Sequence, residues 1–162
     1  MIKALFFDWG NTIMVDFGLP QPMYLWENVE WVKGAERALK TLSRSFPCYM
    51  ATNAPMSDGK AVLMALKRVG ADRYFRNIFS SFDVGYEKPD PNFFRYILQQ
   101  TGLRPYEGVM IGDHYIKDII GAKDHGMKTI YLNRLGEEGP FPKADRIISE
   151  MKLLAEAVKE LV

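Results

Sequence analysis

Four short polar clusters are spread along the sequence, and each directly follows an apolar run. Together they supply carboxylates, a hydroxyl and an ammonium group. Carboxylates that are brought together need a cation or a shared proton, and oxygen ligands of this kind suit Mg²⁺ bound together with a substrate phosphate. A hydroxyl and a lysine are suitable partners for the remaining phosphoryl oxygens. The clusters are Phe7-Asp8-Trp9-Gly10-Asn11-Thr12, Met50-Ala51-Thr52-Asn53, Gly85-Tyr86-Glu87-Lys88-Pro89 and Ile111-Gly112-Asp113, the last followed by Asp118.

The segments that carry these clusters alternate between β-rich runs and helical patterns. Strands are predicted at about 2–7, 47–51, 77–82, 108–111, 128–132 and 146–149, and helices at about 33–45, 57–69, 91–101, 116–125 and after 150. Strands that alternate with helices form βαβ units and a parallel sheet covered on both faces. We therefore predict an α/β fold, a Rossmann-like three-layer α/β/α sandwich with a mainly parallel sheet of five to six strands. In such sheets, sites lie outside the carboxyl ends of the strands, where the four clusters fall.

The length and composition fit one domain. The 162 residues are 48% hydrophobic and 25% charged, as expected of a globular chain with a core of its own. We predict a single domain over 1–162. Its segment 16–32 is expected to form an irregular loop or hairpin with a short helix, lying over the strand ends. No large cap domain is expected.

Charge and hydropathy narrow the partners. The net charge of +1 argues against a general nucleic-acid surface. No apolar stretch is long enough to span a membrane, and the first residues lack the pattern of a signal peptide, so we expect a cytoplasmic protein. Its single cysteine, Cys48, lies in an apolar run and predicts a buried free thiol. A monomer and a homodimer both remain open.

With its four clusters in this order, nearly the whole chain resembles the haloacid dehalogenase superfamily, as a small-cap or cap-less phosphatase-like member. The resemblance implies that Asp8 is a nucleophile that receives a phosphoryl group as an aspartyl phosphate. It implies that Thr52 binds this group and that Lys88 balances its charge, and it makes Asn53 a further candidate for phosphate binding. The expected activity is hydrolysis of a small phosphorylated metabolite.

The resemblance also implies a bound Mg²⁺. Its expected ligands are the carboxylates of Asp8, Asp113 and Asp118 and the backbone carbonyl of Gly10, two residues after the nucleophile. Magnesium and lysine together would neutralise the charge of the phosphate and allow the carboxylate to approach it.

Gly10 is the departure from the family pattern. Most phosphatases of the family carry a second Asp at this position, which protonates the leaving group and then activates water. A positioned acid or base is worth about 10²–10⁴-fold in rate, so the enzyme is expected to be slow or to favour good leaving groups. Alternatively, Asp16, Glu27 or His114 supplies the proton.

Two other functions stay open because of Gly10. One is dehalogenase-type cleavage of a carbon–halogen bond by Asp8, since dehalogenases and phosphonatases of the family also lack the second Asp. Those branches usually insert a large helical cap between the first two motifs, for which residues 9–51 leave no room. The other is a catalytically weak phosphate-binding module. A two-component receiver domain fits less well, because its phosphorylated Asp ends the third strand.

Overall fold

A single sheet of six strands runs through the molecule, and every strand is parallel to its neighbours, in the order β3-β2-β1-β4-β5-β6. The structure, a computed structural model, describes residues 1–162. The predicted α/β fold is confirmed, with all six strands present and none antiparallel. The strands are β1 (Ala4–Phe7), β2 (Cys48–Thr52), β3 (Asn77–Ser80), β4 (Gly108–Gly112), β5 (Lys128–Leu132) and β6 (Arg146–Ile148).

Helices lie between successive strands except β5 and β6, and five of the six α-helices fall within predicted helical segments. The predicted strand 77–82 is wrong at its end, because the Ser80 hydroxyl accepts from the Phe82 amide and residues Ser81–Val84 form a helix instead. Short 3₁₀ turns cover Met23–Leu25, Asp72–Tyr74, Pro105–Glu107 and Met151–Leu153, and a π-helix covers Tyr115–Ile120. The α-helices are α1 (Ala35–Leu42), α2 (Gly59–Lys67), α3 (Ser81–Val84), α4 (Pro91–Thr101), α5 (Gly121–Asp124) and α6 (Leu154–Lys159).

The two faces of the sheet bury separate apolar clusters, which makes the fold three-layered. In β1, Leu5 and Phe7 join a cluster that includes side chains of α1, α2 and α6. The alternate residues, Ala4 and Phe6, join a second cluster with side chains of α4 and α5. Successive side chains of a strand point to opposite faces, and all four residues of β1 are buried. This is why the strand reads as a continuous apolar run.

Local capping explains where two of the helices begin. The side chain of Asp90 accepts a hydrogen bond from the amide of Asn92, so α4 starts at Pro91, where the sequence predicts a helix to begin. The helix predicted from about residue 57, with Ser57 as its expected cap, begins at Gly59 instead, because Asp58 is the cap and accepts from the Ala61 amide at 2.8 Å. The carbonyl of Ser57 is instead a hydrogen-bond acceptor for the hydroxyl of Ser80.

Strand register brings the polar clusters to one edge of the sheet. β1 lies between β2 and β4, and its last residue, Phe7, is paired with Met50 on one side and Ile111 on the other. The amide of Asp8 donates to the carbonyl of Ile111 at 2.9 Å. The residue after β1 therefore lies beside the ends of both neighbouring strands.

Residues 16–32 form an irregular connection whose only helix is the 3₁₀ turn at Met23–Leu25. Met23 and Trp26 are buried in the core. The Arg68 guanidinium of the turn after α2 donates to three main-chain carbonyls of this connection, those of Tyr24, Trp26 and Glu27. These contacts hold the connection against the domain. None of the helices combines the length and the apolar character that crossing a bilayer requires.

Candidate active site

Lys88 joins the first and fourth polar clusters through its ammonium group. Its Nζ lies 2.8 Å from Oδ1 of Asp8 and 2.7 Å from Oδ1 of Asp118. A third hydrogen bond, of 2.7 Å, goes to the carbonyl of Ala51. Lysine has three N–H donors, so all of them are engaged, and a contact with a phosphoryl group would require one to be redirected.

The ammonium group of Lys88 is held in its charged form. The residue is only 2% exposed. Burial disfavours the charge, but the carboxylates of Asp118 and Asp8 outweigh it and keep the pKa of Lys88 above its ordinary value. The lysine therefore provides a fixed positive charge beside Asp8.

Three carboxylates converge next to this lysine. One oxygen from each of Asp8, Asp113 and Asp118 lies within 4.8 Å of the others. Burial, followed by the charges of Asp8 and Asp118, raises the pKa of Asp113 to about 7. Burial and the charge of Asp8 raise the pKa of Asp118 to about 6, although Lys88 opposes this. One ammonium cannot balance three carboxylates, so the group suits a divalent cation such as Mg²⁺, which prefers oxygen ligands.

Asp118 is fixed by hydrogen bonds at both oxygens. Oδ1 accepts from Lys88, and Oδ2 accepts from the backbone amide of His114 at 3.0 Å. Its carboxylate lies directly over Gly112: a Cβ atom on that glycine would be only 2.2 Å from Oδ2 of Asp118. The glycine before Asp113 therefore makes room for the acid that follows five residues later.

Thr12 is a site residue that sequence reasoning missed. It is fully buried, and its hydroxyl lies 3.1 Å from Oδ1 of Asp113 and 3.4 Å from Oδ2 of Asp8. A hydroxyl has one proton, so it donates to one carboxylate at a time and spaces the pair. Its position in the first polar cluster was the only available signal.

Thr52 and Asn53, both predicted phosphate ligands, differ in their surroundings. Thr52 lines the cavity at the end of β2, and its hydroxyl is free of hydrogen bonds within the chain. The Asn53 amide is paired with the main chain of Lys88: it donates to the carbonyl and accepts from the amide, both at 2.8 Å. Thr52 thus has its hydroxyl free for a ligand, whereas Asn53 positions Lys88.

These residues surround a cavity of about 220 Å³, which we call the polar cavity. Eleven residues line it, and none of them is hydrophobic. Gly10, Asp16 and His114 are among them, whereas Glu27 is not. Of the three alternative proton donors named from the sequence, Glu27 is therefore the one that does not line the cavity.

Curated proteins with similar sequences include phosphatases. The chain is 30% identical over 135 residues to a glyceraldehyde 3-phosphate phosphatase of Pyrococcus furiosus, covering 79% of this chain and 54% of that protein. It is 34% identical over 110 residues to a phosphoserine phosphatase of Thermus thermophilus, covering 65% of this chain and 44% of that protein. The chain thus spans about half the length of the curated relatives it matches.

Structural comparison supports the fold. The crystal structure of a HAD phosphatase from Thermococcus onnurineus superposes with a TM-score of 0.81 at 23% identity, covering 97% of this chain and 98% of the other.

The sequence profile described as haloacid dehalogenase-like hydrolase matches residues 23–132, which is more than half of the chain. The matched residues include Thr52, Lys88, Asp113 and Asp118, and Asp8 precedes them. The chain belongs to the haloacid dehalogenase-like hydrolases.

Proposed function

We propose that this protein is a magnesium-dependent phosphohydrolase that acts on a small phosphorylated metabolite through an aspartyl phosphate on Asp8. The observation that carries the proposal is the position of Asp8, hydrogen-bonded to a buried lysine and grouped with two further carboxylates. Curated relatives that are phosphatases support the same reaction class. The small size and polar lining of the cavity favour a phosphoryl group over an apolar substrate.

Asp8 attacks with the less engaged of its two oxygens. Oδ1 is held by Lys88, whereas the nearest donor to Oδ2 is the Thr12 hydroxyl at 3.4 Å. Fixing one oxygen orients the other, and positioning of this kind lowers the barrier to attack on phosphorus. Lys88 offsets the charge of Asp8, so that an anionic phosphate can approach an anionic nucleophile.

The other residues bind and orient the phosphoryl group and its counter-ion. The free hydroxyl of Thr52 donates to a phosphoryl oxygen. Asp8, Asp113, Asp118 and the carbonyl of Gly10 would hold the Mg²⁺ ion. When bound, the ion neutralises phosphoryl charge and polarises the phosphorus–oxygen bond. Thr12 keeps Asp8 and Asp113 at a fixed separation for this purpose.

A dehalogenase is the second candidate, and only the missing side chain at Gly10 favours it. Displacement of a halide needs no divalent cation. The three converging carboxylates, two of them with raised pKa values, therefore favour the phosphohydrolase.

Hydrolysis of p-nitrophenyl phosphate with Mg²⁺ or with EDTA tests the proposal. We expect turnover that requires the metal and is lost in Asp8→Asn. Asp124→Asn is a matched control, because it removes an exposed carboxylate whose salt bridge with Lys143 is worth about 1 kcal/mol or less. Full activity in Asp8→Asn, or chloride release from 2-chloropropionate without metal, would contradict the proposal.

A further inference from the structure

Asp16 faces the place where the usual acid/base side chain is missing. A Cβ atom on Gly10 would lie 3.4 Å from Cβ, 3.5 Å from Oδ2 and 3.8 Å from Cγ of Asp16, and these are its three nearest neighbours outside the adjoining residues. The space next to position 10 is therefore bordered by a carboxylate that the chain supplies from six residues further on.

The loop geometry fixes Asp16 there. Its amide donates to Oδ1 of Asn11 at 3.0 Å, and its own Oδ1 accepts from the amide of Gly18 at 2.8 Å. Asn11 has φ 58°, in the left-handed region that turns the chain back after β1. The Asn11 carbonyl is in turn held by Arg134 at 2.9 Å. Oδ2 of Asp16, the oxygen nearer to Gly10, has no partner in the chain.

Asp16 also stands at the junction of two cavities. Beside the polar cavity lies a groove of about 220 Å³ between residues 16–26 and 52–57. Gly10, Asp16, Thr52 and Asn53 line both. With the phosphoryl group in the polar cavity and the leaving group in the groove, the oxygen that joins them lies at this junction. Asp16 is the only acidic residue that lines both spaces.

We propose that Asp16 is the general acid and base of the reaction, in place of a side chain at position 10. The inference rests on the proposed function. When Asp8 forms its bond to phosphorus, the bond to the leaving oxygen breaks, and this oxygen takes the proton of the Asp16 carboxyl and departs as an alcohol. Water then attacks the aspartyl phosphate and gives a proton to the Asp16 carboxylate. Inorganic phosphate leaves, Asp8 is restored, and Asp16 is protonated again.

His114 is the competing proton donor, because it also lines the polar cavity. Its Nδ1 is used as an acceptor for the amide of Lys117 at 3.3 Å. It does not line the groove, so its access to the leaving oxygen is poorer than that of Asp16.

The test compares phenyl phosphate with p-nitrophenyl phosphate, which differ little in shape but much in leaving-group quality. Asp16→Asn keeps an oxygen to accept from Gly18, so the loop is retained. We expect kcat/KM for phenyl phosphate to fall by about 10²–10⁴-fold, and that for p-nitrophenyl phosphate by about tenfold or less. Rapid mixing of Asp16→Asn with p-nitrophenyl phosphate should give a burst of one nitrophenolate per enzyme. The aspartyl phosphate then accumulates, because no base activates the water that hydrolyses it.

Controls separate this inference from the proposed function. Glu27→Gln changes an acid of the same segment that lines neither cavity and should be neutral, and Gly10→Asp should restore phenyl phosphate turnover in Asp16→Ala. The role of Asp16 would be overturned if Asp16→Asn lost kcat/KM equally for both substrates without a burst, or lost none. It would also be overturned if the leaving-group dependence appeared in His114→Gln instead. Retained activity in Asp8→Asn would instead refute the proposed function itself.

Discussion

The side-chain amide of Asn53 forms two hydrogen bonds with the main chain of Lys88, donating to its carbonyl and accepting from its amide, each at 2.8 Å. The two residues are 35 positions apart in the chain. The pair ties the loop after β2 to the loop that carries the lysine. The ammonium group can then reach Asp8 and Asp118 from a fixed backbone.

Asn53→Ala should therefore act through Lys88. Loss of both hydrogen bonds leaves two partly buried backbone groups without these partners, and we expect a destabilisation of about 1–3 kcal/mol. Turnover of p-nitrophenyl phosphate should also fall, because Lys88 is less well held. Urea unfolding measures the first effect and steady-state kinetics the second. Asn28→Ala, an exposed asparagine, is the control, and equal stability of the two variants would contradict this role.

Gly112→Ala should displace Asp118. The added Cβ would lie 2.2 Å from Oδ2 of a carboxylate that Lys88 and the His114 amide hold in place. We expect a loss of about 1–3 kcal/mol in the free energy of unfolding, as for other overpacked sites, together with weaker Mg²⁺ binding by calorimetry. Ala144→Gly, a change between the same two residue types in a loop away from the carboxylates, is the control and should leave Mg²⁺ affinity unchanged. Unchanged Mg²⁺ affinity in Gly112→Ala would refute the prediction.

The carboxylate cluster should make stability depend on pH when no divalent cation is present. In the folded state, the pKa of Asp113 is raised to about 7 and that of Asp118 to about 6, well above the unfolded value of about 3.9. A raised pKa means that the folded state holds protons more tightly than the unfolded chain. Its stabilising effect is complete below the unfolded pKa and is lost as the pH rises through the folded values.

We therefore expect the contribution of this cluster to unfolding free energy to fall between about pH 4 and pH 7 in EDTA. Urea titrations across this range measure it. Asp113→Asn should flatten the profile, and saturating Mg²⁺ should raise stability most at the alkaline end, where the carboxylates are charged. A wild-type and an Asp113→Asn profile of the same slope would contradict the assignment.

The groove beside the polar cavity should select against negatively charged leaving groups. No basic residue lines it, and its only ionisable side chain is that of Asp16, which carries a proton when the leaving group is bound. We expect kcat/KM for 4-carboxyphenyl phosphate to be about tenfold or more below that for phenyl phosphate, because a carboxylate that loses water on entering the groove finds no cation there to offset its charge. Equal kcat/KM values would show that the leaving group lies elsewhere.

Much of the fold could be predicted from the sequence because its elements are strongly patterned. The buried strands β1 and β4 read as apolar runs, and α4 ends at Thr101 as predicted, before Gly102, whose φ of 67° suits the end of a helix. The parallel order then brings Asp8 and Asp113 to one sheet edge. The start of α2 is less well predicted, because Ser57 and Asp58 are both good capping residues and the structure uses Asp58.

The finer site contacts could not be predicted because they join distant parts of the chain. The contact of Thr12 with Asp113 spans 101 positions, and nothing near Thr12 indicates it. The role of Asp16 depends on the left-handed turn at Asn11, which a sequence pattern does not specify. Asn53 is predicted to bind phosphate, and the two hydrogen bonds of its amide with the Lys88 main chain, 35 positions away, are not indicated by any nearby pattern.

The covalent role of Asp8 is the central claim, and trapping its phosphorylated form tests it most directly. The protein is mixed with Mg²⁺ and p-nitrophenyl phosphate, quenched in acid within the first turnover, digested and analysed by mass spectrometry. We predict a phosphoryl group on Asp8 that is enriched in Asp16→Asn and absent from Asp8→Asn. A phosphoryl group on another residue, or turnover by Asp8→Asn, would contradict the account.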